Sequence, residues 1–280
     1  MSRLTKEEII FFKREGYLIK RGVLDPDLMA RARERKWEAA PERMKRDDPS
    51  TWFGPWTPEE KTSETEKDCK LGYTWKFRVP EKEEWIVRML VANPVIVGWA
   101  EQLLGEGTFD VPERIRGIYC RLPMGDAPEE PVVCHCDVGP DQLHETPFTQ
   151  LLNPGVGVVG LIAPIPPNGG AFTVWPGTHR KIYDLIINTE GLARNEAYKQ
   201  RIIDFNDDRR VEGCGEAGDV LLWHRLEAHT AGHNRSEEIQ LREAVLCDYG
   251  RRADPDAAPR DSYEDMWQDW SEEVCSVPES

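Results

Sequence analysis

The chain lacks several features that would assign it to a membrane or secreted class. No apolar run approaches the ~18 residues needed to span a bilayer. The opening residues, MSRLTKEEIIFFKREGY, interrupt a short apolar stretch with charges, so we expect neither a membrane span nor a signal peptide. Internal repeats and low-complexity segments are also absent.

Positive charge is in short supply. Lys and Arg number 36 against 51 Asp and Glu, which gives a formal net charge of -15. Nucleic-acid binding needs clustered Lys and Arg to displace counterions, so we expect no nucleic-acid partner. The same acidity argues, more weakly, against binding to an anionic membrane. The expected partner is a small-molecule substrate, and the oligomeric state stays open.

The seven cysteines form no CxxC pair, which disfavours a structural zinc ribbon. Their number is odd, and no secretory signal precedes them. Reduced thiols are the simplest account, because disulfides persist mainly in oxidising compartments. We therefore expect a cytoplasmic location.

The length and composition fit one folded domain. Of 280 residues, 39% are hydrophobic and 31% are charged, enough for both a sizeable core and a solvated surface. We predict a single domain over 1–280, with a helical part at 1–110, a barrel at 111–250 and an acidic tail at 251–280.

The N-terminal part contains signals for helix ends. Thr5-Lys6-Glu7-Glu8 is a capping-box pattern, and Gly16 is a helix stop. A short strand at 17–19 should follow. Asp25 then begins a second helix that should run towards Met44.

Residues 45–85 are rich in turn formers and aromatic residues. Such a segment is either a lid over a functional site or a packed connection, and the sequence favours neither. Residues 86–104 predict two short helices broken before Pro94.

From residue 111 onward, short apolar runs alternate with Gly and Pro. Strands are predicted at 115–122, 131–137, 156–163, 171–175, 219–224 and 239–249. Helices followed by a series of strands indicate a sheet-based barrel with helices outside it. A charged helical insertion is expected at 180–210, and a terminal helix carrying Met266, Trp267 and Trp270.

His135 and Asp137 form the pattern with the most chemical content. Side chains alternate along a strand, so these two share one face while Cys134 and Cys136 share the other. A second histidine, His229, from another strand would complete a 2-His-1-carboxylate set, which holds non-haem Fe(II) and leaves three sites open. The simpler alternative is a hydrogen-bonded polar pair at a sheet edge.

The order of motifs around this pair resembles the phytanoyl-CoA dioxygenase family of Fe(II)/2-oxoglutarate oxygenases. Asn168–His179 reads NGGAFTVWPGTH and is similar to the NG…PGSH segment of the family. The C-terminal half contains, in order, a Gly-Asp turn, a strand ending in His, a further His, an Asn-x-Ser triplet and a strand with Arg (Gly218-Asp219, Val220–His224, His229, Asn234 with Ser236, Arg242). The resemblance spans about residues 4–250.

The resemblance implies a double-stranded β-helix, that is, a cupin-like jelly-roll barrel that is mainly β with flanking helices. It implies Fe(II), 2-oxoglutarate and O2 as cofactor and cosubstrates, and His135, Asp137 and His229 as the metal ligands. Arg242 would bind the distal carboxylate of 2-oxoglutarate, with Arg121 nearby. Thr230 would replace the hydroxyl that the family often has after the ligand histidine.

The expected activity is therefore an oxygenase that oxidises, most simply hydroxylates, a C–H bond and releases succinate and CO2. Halogenating relatives lose the carboxylate ligand, and Asp137 is present here. The alternative is a non-catalytic or 2-oxoglutarate-independent cupin-type metal barrel. The aromatic residues at 52–77 suggest an apolar or ring-bearing substrate, but they could equally pack on the barrel.

The remaining histidines have different expectations. His224 is expected in the core or supporting the ligands, and His233 in an exposed turn. His144 could face the substrate. Trp175 and Trp223 are expected in the core rather than in a pocket.

Overall fold

The computed structural model describes residues 3–79, 83–138, 152–188, 200, 202–205, 209–252 and 265–279. Helices occupy Lys6–Glu15 (α1), Pro26–Glu38 (α2), Glu84–Val87 (α3), Pro94–Leu104 (α4), Thr178–Asn188 (α5) and Glu272–Ser276 (α6). Strands occupy Tyr17–Lys20 (β1), Asp68–Leu71 (β2), Thr74–Phe77 (β3), Gly117–Arg121 (β4), Gly155–Leu161 (β5), Phe172–Val174 (β6), Val211–Glu212 (β7), Val220–His224 (β8), His229–Ala231 (β9) and Arg242–Gly250 (β10). Short 3-10 helices lie at Pro49–Trp52 and Pro58–Glu60.

Two antiparallel sheets form the barrel. The larger has the order β1-β8-β5-β10-β4-β3-β2 and the smaller β7-β6-β9. Their facing side chains form one apolar cluster, to which Val159 and Leu221 contribute from the large sheet and Phe172 and Val174 from the small one. The fold is the expected cupin-like jelly roll.

Helices α1 and α2 cover the outer face of the large sheet. Ile9, Phe12 and Met29 from α1 and α2 belong to the same buried cluster as Val245 and Cys247 of β10. Because side chains alternate along a strand, Arg242, Ala244, Leu246 and Asp248 of β10 face the barrel interior instead.

The predicted helix signals near the N-terminus are confirmed. Thr5 accepts a hydrogen bond from the Glu8 N–H and completes the capping box. Gly16 ends α1 with φ 81°, a left-handed conformation that glycine adopts at little cost. The second helix ends at Glu38 and not near Met44, because Pro41 disfavours helical backbone in the residue before it.

The described part of segment 45–85 is packed into the fold. Residues 68–77 form the β2–β3 hairpin at one edge of the large sheet, and Trp56, Trp75 and Phe77 are buried. The packed-connection interpretation therefore fits these residues better than a lid. Because β1, β2 and β3 belong to the same sheet as β10, the barrel is not confined to 111–250.

Five of the six predicted barrel strands are present, as β4, β5, β6, β8 and β10. The strand predicted at 131–137 is wrong. Only His135 pairs there, in a single bridge to His229. Its partner β9 is three residues long and already pairs with β6 on its other side.

The two other helical predictions are confirmed in part. Within the predicted insertion at 180–210, α5 covers 178–188, and residues 189–199 lie outside the described range. In the tail the helix begins only at Glu272, while Trp267 and Trp270 pack in turns against Phe12. None of the described helices is long and apolar enough to cross a bilayer.

Candidate metal centre

His135, Asp137 and His229 come together at one end of the barrel. Each offers one donor atom, and the three donors lie within 4.8 Å of one another. Paired backbone hydrogen bonds join the two histidines: the His135 N–H donates to the His229 carbonyl at 3.0 Å, and the His229 N–H to the His135 carbonyl at 2.9 Å. The main chain therefore sets the distance between the two imidazoles.

The ring of His229 is held in a defined orientation. Its Nδ1 lies 2.8 Å from the Glu227 carbonyl, which can only accept, so Nδ1 carries the proton. The other nitrogen, Nε2, lies 3.6 Å from Asp137 Oδ1 and is the nitrogen that would bind a metal. Phe172 stacks on the ring at a centroid distance of 5.1 Å.

The Pro176-Gly177-Thr178-His179 motif, here named the PGTH segment, fixes the loop that leads to His229. Thr178 Oγ1 accepts from the Ala228 N–H at 2.9 Å. His179 contacts the buried Glu227 carboxylate through Nδ1 at 2.9 Å and through its backbone N–H at 3.1 Å. The segment therefore positions His229 through the two residues before it, Glu227 and Ala228.

The local charges suit a divalent cation. Burial and the neighbouring His229 lower the pKa of His135 to about 4, so its imidazole is neutral at pH 7. Burial alone would raise the pKa of Asp137, but contact with His229 and the charge of Arg116 outweigh it and hold the pKa at about 2. Two imidazoles and one carboxylate are the donor set that suits Fe(II).

The nearby cysteines point away from the cluster, as predicted, although residues 131–137 form no strand. Cys134 Sγ contacts the Ile202 carbonyl at 3.2 Å, and Cys136 Sγ lies 3.8 Å from the Arg225 carbonyl. His224 is buried in the core, as expected. His233, predicted to be exposed, is only partly so, and His144 lies outside the described residues.

Inside the barrel, Arg242 and Arg121 are direct cross-strand neighbours on β10 and β4. Arg242 is 2% exposed, and its Nε has no hydrogen-bond partner among the described residues. Burial and the adjacent Arg121 lower the pKa of Arg242 to about 10. A buried guanidinium without a carboxylate partner in the described chain calls for an anionic ligand.

Asn234 holds these two arginines in register. Its side-chain amide donates to the Arg121 carbonyl at 3.1 Å and to the Gln240 carbonyl at 2.7 Å. Ser236 Oγ donates to Asn234 Oδ1 at 3.1 Å. The Asn-x-Ser triplet therefore ties the end of β4 to the start of β10. Arg121 is also fixed by a 3.0 Å hydrogen bond from Nη1 to Thr74 Oγ1.

The structure does not bring Thr230 to this site. Thr230 pairs with Thr173 across β9 and β6, on the face opposite to His229, because consecutive side chains on a strand point to opposite faces. The inward position after His229 belongs to Ala231, which pairs with the inward-facing Phe172. The expected hydroxyl contact to a cosubstrate therefore has no support.

Sequence reasoning missed a pair of charged residues close to Asp137. Arg116 forms an ion pair with Asp248, and both line a cavity of about 270 Å³ together with Asp137 and Arg225. The alternation that places Arg242 inside the barrel also places Asp248 inside. That signal was available in the sequence, because the predicted strand 239–249 already contains Asp248.

The fold and the site define the class of the protein. A jelly-roll barrel with a His-Asp-His cluster and a buried arginine that has no carboxylate partner among the described residues fits the 2-oxoglutarate-dependent non-haem iron oxygenases. The chain belongs to the phytanoyl-CoA dioxygenase (PhyH) family, whose model matches residues 12–244. It is an oxidoreductase of that class.

Solved structures share the fold at low identity. EctD from S. alaskensis, determined with 2-oxoglutarate and 5-hydroxyectoine, aligns with a TM-score of 0.55 and 16% identity over 89% of this chain and 76% of EctD. The 2-oxoglutarate-dependent epimerase SnoN from nogalamycin biosynthesis gives 0.54 and 16%, over 88% and 83%. HygX from Streptomyces hygroscopicus, with nickel and 2-oxoglutarate, gives 0.54 and 14%, over 89% and 87%. No curated protein matches the chain.

Proposed function

We propose that this protein hydroxylates a C–H bond of a small organic substrate, with conversion of 2-oxoglutarate and O2 to succinate and CO2. The observation that carries the proposal is the pairing of two sites in one barrel. Three side chains that could hold a metal ion, here named the metal cluster (His135, Asp137 and His229), lie at one end of the barrel. A buried guanidinium without a carboxylate partner among the described residues lies inside it. A protein that only bound a metal would not need both.

His135, Asp137 and His229 are the proposed iron ligands. Their donors are already within 4.8 Å of one another, and the backbone bridge between the histidines limits how far they can separate. Three protein donors leave the remaining coordination positions for cosubstrate and oxygen. When bound, the iron supplies the oxidising power and the protein supplies geometry.

Arg242 is the proposed partner for the distal carboxylate of 2-oxoglutarate. Its planar guanidinium can make two parallel hydrogen bonds to a carboxylate, which Lys cannot. Arg121 adds a second positive charge beside it. Burial in the barrel strengthens both interactions because the local dielectric is low.

Asp137 favours hydroxylation over halogenation. Its carboxylate would hold a metal at a position that a halide would otherwise need, and its pKa of about 2 keeps it ionised. A cytoplasmic setting is also proposed, because all seven cysteines are free thiols and thiols stay reduced in that compartment.

The ligand assignment is tested by anaerobic addition of Fe(II) and 2-oxoglutarate to the wild-type protein. We expect a visible charge-transfer band that His135→Ala and His229→Ala abolish. His233→Asn is the matched control, because His233 lies outside the cluster, and it should keep the band. An unchanged band in both ligand variants would overturn the assignment.

The cosubstrate assignment is tested with Arg242→Gln and Arg242→Lys. For the Gln variant we expect about 100-fold weaker binding of 2-oxoglutarate, because two charge-assisted hydrogen bonds are lost. The Lys variant should show an intermediate loss. Arg46→Gln, at an exposed ion pair on the protein surface, should match wild type. Turnover without 2-oxoglutarate would instead support the 2-oxoglutarate-independent alternative.

A further inference from the structure

A cavity lies beside Asp137 on the side away from Arg242. Asp248 lines it and follows Arg242 on β10 by six residues, roughly 20 Å along the strand. Its volume is about 270 Å³, the space of about nine water molecules at ~30 Å³ each. As bounded by the described residues, this space suits a ligand of amino-acid size and is far too small for a whole CoA ester.

Three glycines line this cavity, Gly155 and Gly157 of β5 and Gly250 of β10. A Cβ at Gly155 would lie 3.2 Å from Arg225 Cδ, and a Cβ at Gly157 would lie 2.1 Å from the Trp223 ring. The missing Cβ of Gly155 therefore leaves room for the Arg225 side chain, and the missing Cβ of Gly157 leaves room for the Trp223 ring.

The charges that line the cavity do not cancel. Asp137 is engaged by the metal cluster, which leaves the cations Arg116 and Arg225 against the single anion Asp248. Arg225 has no ion-pair partner in the described part of the chain, whereas Arg116 pairs with Asp248. As far as the described residues line it, the cavity offers one guanidinium without an ion-pair partner, which favours a ligand with one carboxylate.

The Arg116–Asp248 pair is accessible to a ligand. Its side chains are 42% and 36% exposed, whereas the pair between Lys36 of α2 and Glu243 on the outer face of β10 is 0% and 1% exposed. An ion pair with a purely structural role would be buried in the way that Lys36 and Glu243 are. Asp248 faces inward and can accept a hydrogen bond from a ligand donor, while Arg116 fixes its position.

We propose that this cavity binds the substrate, and that the substrate is a small amino or hydroxy acid. Its carboxylate pairs with Arg225, and its N–H or O–H donates to Asp248. A molecule held by both groups presents its C–H bonds towards Asp137 and the metal cluster. This inference rests on the proposed function, because it names the substrate class for the same site.

The test uses wild-type protein loaded anaerobically with Fe(II) and 2-oxoglutarate. The probes are the standard L-amino acids and the corresponding α-hydroxy acids, titrated by calorimetry and by the shift of the visible band. We expect at least one acid to bind and to stimulate succinate formation when O2 is added. Its carboxamide should bind at least about 10-fold more weakly, because the charge-assisted pair with Arg225 is lost.

Variants then identify the residues. Arg225→Gln and Asp248→Asn should each raise the dissociation constant of the best acid about 10- to 100-fold. Arg46→Gln and Glu34→Gln, which break an exposed ion pair on the surface, should leave it unchanged. Equal affinity in wild type and both cavity variants would overturn the proposal. If the variants do not fold, the comparison of acid with carboxamide on wild type decides the question.

The two proposals can fail separately. If the visible band forms but none of the acids binds, the substrate inference is wrong and the proposed function stands. If no band forms in the wild-type protein, the proposed function itself is wrong.

Discussion

At the scale of single residues, the histidines differ in how deeply they are buried and therefore in their pKa. His224 is fully enclosed: its ring stacks on Trp270 at a centroid distance of 5.0 Å, and its Nδ1 accepts from the Leu226 N–H at 3.0 Å. Burial and the neighbouring His179 push the pKa of His224 well below its ordinary value. His224 is therefore a neutral acceptor in the folded protein.

This burial makes stability depend on pH. In the unfolded chain His224 takes up a proton below pH ~6.5, whereas the folded protein does not until a much lower pH. Stability should therefore fall as pH drops from 6.5, by up to about 1.4 kcal/mol per pH unit for this proton. His224→Asn, which keeps an acceptor but cannot titrate, should flatten that slope in urea unfolding, and the partly exposed His233→Asn should flatten it less. Identical slopes for wild type and His224→Asn would contradict the assignment.

The metal cluster could be predicted from residue types, whereas Thr230 could not. Polar or charged side chains stand within apolar stretches of sequence at His135, Asp137, His229 and Arg242, and packing alone does not explain them. The position of the Thr230 hydroxyl depends only on which face of β9 it occupies. That face is set by pairing with β6, which a local pattern does not reveal.

At the scale of elements, the PGTH segment holds the backbone of the loop that precedes His229. Thr178 accepts from the buried Ala228 N–H, and Ala228 directly precedes His229. A shift of this loop would move the imidazole relative to Asp137. The motif therefore reaches the metal cluster without contacting it.

Thr178→Val keeps the shape of the side chain and removes the acceptor. The orphaned Ala228 N–H should cost about 1–3 kcal/mol of stability, and the metal affinity should fall about 10-fold or more, as for other outer partners of metal ligands. Thr173→Val is the matched control, since Thr173 is equally buried but faces away from the cluster. The measurements are urea unfolding and Fe(II) titration of the apoprotein. A stability loss with unchanged metal affinity would reduce the motif to a structural role.

Elements with local signals were predicted well, and those without them were not. The capping box at Thr5 and the left-handed Gly16 fix the ends of α1 within a few residues of sequence. Residues 131–137 read as a strand, yet only His135 finds a partner, because a strand requires a neighbour and not only a pattern. For the same reason, β2 and β3 could not be recognised within the aromatic segment 45–85.

At the scale of the whole molecule, one buried ion pair joins the helical layer to the barrel. Lys36 of α2 contacts Glu243 on the outer face of β10, and both side chains are almost completely buried. Arg33 Nε also donates to Glu243 at 2.8 Å. The next residue on β10 towards its start is Arg242, which faces the barrel interior. The helical layer is thus fastened beside the proposed cosubstrate site.

Removing one partner should be worse than removing both. Lys36→Met leaves Glu243 buried with only the half-exposed Arg33, which should cost about 3–5 kcal/mol. The double variant Lys36→Met/Glu243→Leu should recover most of that loss, since an apolar pair of similar volume replaces the charges. Arg46→Gln, at an exposed pair, should leave stability almost unchanged, because solvent screens the two charges. Urea unfolding measures all three, and a double variant as unstable as the single one would contradict the account.

The backbone bridge between His135 and His229 bears on which metal the protein holds. Two imidazoles whose spacing is fixed by the main chain offer the same donors to any first-row ion of suitable size. Affinity at such sites rises from Mn²⁺ through Fe²⁺ and Ni²⁺ to Cu²⁺, with Zn²⁺ also above Fe²⁺. Nothing in the triad itself selects iron over its competitors. Occupancy by iron is then decided by the supply of free ions around the protein, and excess Zn²⁺ or Cu²⁺ would displace it.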